Sequence, residues 1–134
     1  MVTQYHYLDS SVALHILYGH SRTAAEWFDH ATGDEDVTVF SSRLLRTEIT
    51  RVLRRDGQDV GRREAVLDYL ELMPLDAGVL TEAEAIVPHV KTLDAIHLAS
   101  VIRSGLDCTI VTHDEVMKSV ARVIGYPAFD PVMN

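Results

Sequence analysis

Short apolar runs alternate with longer amphipathic stretches along this chain. Tyr5–Leu8 is a short apolar stretch ending at Asp9, and it predicts a first strand. Ser11–Tyr18 and Ser21–Thr32 predict helices, the second with Ala24, Ala25, Trp27, Phe28 and Ala31 at helical spacing. The polar, acidic segment Thr32–Asp36 breaks the pattern, and the β-branched Val37–Phe40 predicts a second strand. Ser41 or Ser42 is placed to cap a helix running to about Asp56. Leu44, Leu45, Ile49, Val52 and Leu53 form its apolar stripe.

Past Asp56-Gly57, a helix is expected over about Arg62–Leu70, with Ala65, Val66, Tyr69 and Leu70 turned inward. Leu72–Leu75 predicts a third strand, broken by Pro74. Thr81-Glu82-Ala83-Glu84 spells a capping box and opens a helix that Pro88 limits. Thr92–Ser104 is an amphipathic helix ended by Gly105. Thr109–Val111 predicts a fourth strand. Thr112-His113-Asp114-Glu115 is a second capping box, starting a helix to about Ile124, and Tyr126–Phe129 predicts the last strand. Strands alternating with helices, without a tight hairpin signal, predict an α/β fold. The expected form is a three-layer α/β/α sandwich around a mainly parallel sheet of four to five strands. No repeat or linker interrupts it, so residues 1–134 read as one domain.

Composition supports a packed domain and narrows its surroundings. The 134 residues are 47% hydrophobic, which excludes a disordered chain. No apolar run approaches the roughly 20 residues that cross a bilayer, and the first residues show no secretory leader. A single cysteine, Cys108, forms no internal disulfide, and its place before an apolar strand predicts a buried thiol. A cytoplasmic protein is expected. The net charge of −8 argues against a polyanionic partner, but it is unevenly spread. Arg43 to Arg63 holds seven arginines and three acids, a local balance of +4, and the other 113 residues carry −12. A basic stripe of this kind is either a solvated helix face or a grip on phosphates.

In open parallel sheets, functional groups collect beyond the carboxyl ends of the strands. Asp9 directly follows the first strand. Asp94 lies in the first turn of its helix, two residues after the expected cap Thr92. Asp114 lies two residues after the expected cap Thr112, and Glu48 sits about two turns into the helix after strand two. For Asp94 and Asp114, compensation of the helix dipole accounts equally well for the position. Acids that converge repel one another unless a cation sits among them, and oxygen-only ligands suit Mg²⁺ or Mn²⁺ rather than zinc. The histidines make no rival zinc motif. Asp94-x-x-His97 is the nearest pair, and a packed His97 is the plainer reading.

The segments LDSS around Asp9, TEI around Glu48, TLDAIHLAS around Asp94 and IVTHDEV around Asp114 together resemble the PIN-domain family. Within it, the chain is most similar to the VapC-type toxins of bacterial toxin–antitoxin pairs, over essentially its whole length. The resemblance implies a metal-dependent endoribonuclease that cuts structured cellular RNA. It also implies silencing by a small VapB-type antitoxin encoded alongside, and a homodimer. Asp9 and Asp94 match the principal metal ligands, Glu48 the acid from the third helix, and Asp114 the fourth acid. Ser10 and Thr112 match the small polar residues that support the cluster. Arg51 and Arg55, three and seven residues past Glu48, are the candidate RNA contacts.

The first strand, YHYL, is more aromatic and polar than the aliphatic run usual before the first acid, and His113 and Glu115 crowd Asp114. Two other readings stay open. A receiver-like Mg²⁺-binding signalling module needs an acid pair after strand one, where this chain has Asp9-Ser10. A catalytically silent PIN-like scaffold needs an incomplete acid set, whereas all four are present. For a dimer, Trp27, Phe28 and the Leu44–Leu53 helix offer apolar area, which ordinary core packing explains nearly as well.

Overall fold

The computed structural model describes residues 2–133. Residues 1 and 134, which the one-domain reading includes, lie outside them. In chain order the elements are β1 (Gln4–Leu8), α1 (Ser10–Leu17), α2 (Arg22–Gly33), β2 (Val37–Ser42) and α3 (Arg43–Arg55). A 3-10 turn over Val60–Arg63 leads into α4 (Glu64–Leu67), followed by β3 (Glu71–Met73), α5 (Ala77–Glu84) and α6 (Thr92–Ser104). Then come β4 (Cys108–Val111), α7 (Glu115–Val123), β5 (Ala128–Phe129) and a last 3-10 turn, Pro131–Met133. All five strands are parallel, in the order β3-β2-β1-β4-β5. The α/β sandwich predicted from the pattern is the one observed.

Period-two alternation splits the core into two layers. Leu8, Val39 and Val111 point to the face covered by α1, α2, α3 and α4. Their neighbours Tyr7, Phe40 and Ile110 point to the face covered by α6 and α7. A smaller cluster of Leu44, Val79, Ile96 and Ala99 joins α3, α5 and α6 at one end. Phe28, Leu44, Leu45, Ile49 and Leu53 all lie in these cores. Leu44, Leu45, Ile49 and Leu53 of the α3 stripe are therefore spent inside one chain, while Val52 stays half-buried on the side of α3 that faces α1. Among the described residues, no helix is long and apolar enough to cross a membrane.

Several local expectations are corrected. The helix of residues 77–84 is capped by Asp76, whose carboxylate accepts from the Val79 N–H, so Thr81 lies inside the helix. Thr112 does not cap α7; Asp114 does, accepting from the Met117 N–H at 2.8 Å. Lys91, not Thr92, is the residue before α6, and its side chain makes no capping bond. The expected helix of residues 62–70 shrinks to a 3-10 turn and one turn of α-helix. Val66 and Leu67 become its inward pair, with Ala65 exposed and Tyr69 60% exposed. Gly105 ends α6 in the left-handed region, φ 65°, where a side chain is strained.

Candidate active site

The strand order reverses direction at β1. The chain moves from β1 outward to β2 and β3, then returns to place β4 on the other side, so the crevice of the sheet opens at the carboxyl end of β1. Asp9 stands there, 3% exposed, with its N–H bonded to the Val111 carbonyl at 2.9 Å. A buried carboxylate needs donors. Oδ2 accepts from Ser11 Oγ at 2.8 Å and from Thr112 Oγ1 at 2.7 Å. Thr112 Oγ1 in turn accepts from the Asp114 N–H, and Ser11 Oγ from the His113 N–H. The support expected from Ser10 thus comes from Ser11. With Asp9 at the helix N-cap, the residue two positions on folds its hydroxyl back to the carboxylate. Among the described residues, no hydrogen bond joins the Ser10 side chain to the cluster.

His97 holds the middle of the site. It is fully buried on α6, one turn beyond Asp94, with Tyr7 Oη 2.7 Å from Nδ1. Its Nε2 lies 2.5 Å from Glu48 Oε1 and 3.9 Å from Asp9 Oδ1. Burial alone would lower the pKa of this imidazole. The hydrogen bond to Glu48 and the charges of Asp9, Glu48 and Asp94 outweigh burial and raise it. The only hint in the sequence was its i+3 spacing from Asp94, within a helix whose residues 95–101 are all buried.

Asp94 is half-buried at the start of α6. Burial first, then the charges of Asp9, Asp114 and Glu48, push its carboxyl up to about 6, against a smaller opposing pull from His97. That repulsion places all four predicted acids in one electrostatic neighbourhood. Glu115 points outward, 79% exposed and paired with Lys118, and His113 binds Asp130 at 2.9 Å, so Asp114 is the acid facing the cluster.

The donors at this edge are mostly carboxylate oxygens, the chemistry of a hard divalent cation, and a cation would relieve the repulsion on Asp94. Among the described residues, no three acids or imidazoles stand close enough to share one ion as arranged. Glu48 is drawn onto His97 instead, and Asp114 Oδ1 is engaged by α7. The residues fit such an ion in donor type, with Glu48 turned onto His97 in this structure.

The two candidate RNA contacts part company. Arg51 is exposed and shares a shallow groove on the outer face of α3 with Arg43, Arg46, Arg63, Thr47 and Thr50. Arg55 turns toward α1 and pairs with Asp56 at 2.9 Å.

This arrangement has relatives. The family model described as "PIN domain" matches residues 6–123. Ribonuclease VapC46 of Mycobacterium tuberculosis is 38% identical over 96 residues, covering 68% of this chain and 72% of that protein. The chain belongs to the PIN-domain family. Solved structures agree on the fold. VapBC2 from Rickettsia felis, bound to a promoter DNA fragment, superposes with a TM-score of 0.70 at 12% identity, covering 95% of this chain and 98% of that one. DNA-bound VapBC from Salmonella typhimurium gives 0.68 at 15%, covering 98% and 99%. Membership in the PIN family closes the receiver-like reading.

Proposed function

We propose that this PIN-domain chain is the toxin of a type II toxin–antitoxin pair, a metal-dependent endoribonuclease that cuts structured cellular RNA. Buried Asp9 carries the reading. It is fixed at the carboxyl end of the central strand by two hydroxyls, within 4 Å of an imidazole that also holds Glu48. Family membership and the VapC46 likeness support the ribonuclease class.

In this mechanism Asp9 and Asp94 would hold Mg²⁺ or Mn²⁺, with Glu48 and Asp114 completing the set. The ion supplies charge neutralisation at the phosphate and a bound water of lowered pKa. The chain's own residues prepare that site. Ser11 and Thr112 fix the Asp9 carboxylate in one orientation, so no side-chain ordering is left for the moment of binding. His97, itself bonded to Tyr7, holds Glu48 at the rim of the cluster, from where Glu48 would complete the ligand set. Arg51 and its neighbours grip flanking phosphates without reading sequence. A VapB-type antitoxin silences the site by sending an arginine into the acids, where bidentate pairing takes the place of the cation. The test is cleavage of total RNA with Mg²⁺ or Mn²⁺, with EDTA and Asp94→Asn as controls. Cleavage that survives both controls would sink the site.

A further inference from the structure

α1 and α3 leave a groove of about 300 Å³ along their outer edge, which starts at Ser11 and ends at Tyr18 and His20. Leu14 and Val52 give it an apolar lining. Its far end is built of rings. Tyr18 and His20 stack with centroids 5.7 Å apart and planes at 27°, and His15 stands edge-on to His20 at 6.1 Å. His20 is exposed, so its ring is open to a further layer. His15 donates from Nδ1 to the Ser11 carbonyl at 2.8 Å, which leaves Nε2 for the edge of a ligand.

Charge at the rim suits an anion. The Asp56 carboxylate is occupied by Arg55 and by the Tyr18 hydroxyl, both at 2.9 Å or less, so it offers little repulsion. The Arg62 guanidinium lies 5.5 Å from the Tyr18 centroid and bonds only Gln58 and the Leu17 carbonyl, so its charge has no acid partner among the described residues. At its near end, the groove runs into the Asp9 cluster through Ser11, whose hydroxyl donates to Asp9.

We propose that this groove is a base-stacking subsite that takes one unstacked nucleotide of the RNA, next to the bond that is cut. The proposal rests on the nuclease reading above. The volume lies at the low end for ligand sites, which suits one nucleotide and not a duplex. Rings receive the base, Arg62 faces the neighbouring phosphate, and the connection through Ser11 sets the distance to the cutting site. Stacking of this kind tolerates any base, and a preference arises only from the His15 edge.

The experiment uses single-stranded oligoribonucleotides with one fluorescent purine analogue scanned along the strand, added to Asp94→Asn so the strand stays intact. One analogue position should be quenched. Adding His20→Ala should remove the quench and weaken binding roughly 5- to 10-fold, the scale of a weakened stacking platform. With an abasic nucleotide at that position, the two proteins should bind alike. In the otherwise unaltered chain, His20→Ala should raise KM, leave kcat in place and loosen the choice of cut position. His20→Phe, which keeps a ring, should restore both. Normal cleavage with quench, KM and cut position all unmoved by His20→Ala would overturn the subsite and leave the nuclease intact. A natural-sequence chain that cuts no RNA with either metal, yet still quenches one position in a His20-dependent way, would overturn the nuclease and keep the groove as an RNA contact.

Discussion

Glu48 and His97 face each other between α3 and α6 with 2.5 Å between Oε1 and Nε2, and the imidazole is the more deeply buried of the two. Each needs the other. Removing the ring leaves a carboxylate and the Tyr7 hydroxyl under-satisfied in a dry site. His97→Ala should therefore cost about 2–4 kcal/mol of stability, read as a lower urea midpoint. His97→Gln, which can still reach one partner, should recover part of it.

The contributions of Asp94 and His97 to stability without metal should fall as pH rises. The folded Asp94 carboxyl sits at about 6 against its ordinary 3.8, so the folded state binds the extra proton between those values. The protein is thus favoured below pH 4 by this group and loses that contribution by pH 6. Half-exposure trims the effect to about 1 kcal/mol. His97, raised in the fold, adds a contribution that is complete below 6.5 and is lost as pH climbs through its higher folded value. Thermal melts in EDTA across this range check both; Asp94→Asn should flatten the lower part and shrink the upper part, because the Asp94 charge also helps to raise His97.

Metal should reverse that trend. Mg²⁺ or Mn²⁺ needs Asp94 deprotonated, so binding should weaken below about pH 6. Above it, added ion should raise the melting midpoint. Asp9→Asn and Asp94→Asn should each abolish that rise and reduce cleavage by at least about 100-fold. Calorimetric titration at two pH values, beside the cleavage assay, measures this.

Thr112 braces Asp9 and also receives the Asp114 N–H. Thr112→Val keeps the shape and removes both bonds, and one of them goes to a charged group. The expected cost is about 1.5–3 kcal/mol. Ser11→Ala should cost less, because Ser11 is less buried than Thr112. Chemical denaturation of the two variants orders them.

Arg51→Ala should flatten the salt dependence of RNA binding more than Arg55→Ala. Arg55 is already neutralised by Asp56, whereas Arg51 lies among three other arginines. If Arg51 neutralises one phosphate, its removal lowers the slope of log affinity against log salt by about one.

The layers were legible because each core strand carries its two faces in adjacent residues, Tyr7 with Leu8 and Ile110 with Val111. Asp9, Asp94 and Asp114 were legible from the strand-end rule. Ser42 and Gly105 were legible as the start of α3 and the end of α6, but the N-caps of α5, α6 and α7 were not. Thr112 has the right chemistry for a cap and its Oγ1 accepts the Asp114 N–H, but α7 starts two residues later than expected, behind Asp114, whose carboxylate accepts the Met117 N–H. The Arg62–Leu70 helix shortened because the chain must turn early to lay β3 beside β2. His97 was hidden by its surroundings, since a histidine inside an all-buried helix face reads as packing. Ser10 and Ser11 are adjacent hydroxyls, and only the helix direction decides which one reaches back.

Asp9 and Thr112 are 103 residues apart in sequence. On a ribosome, Asp9 emerges early and waits for Thr112, Asp114 and strand β4, which are made near the end. Throughout that interval the growing chain has its first acid without the hydroxyl that fixes it or the strand that carries its backbone bond. A half-made copy therefore lacks the braced acid, and the cluster at the sheet edge is completed only when synthesis is almost finished.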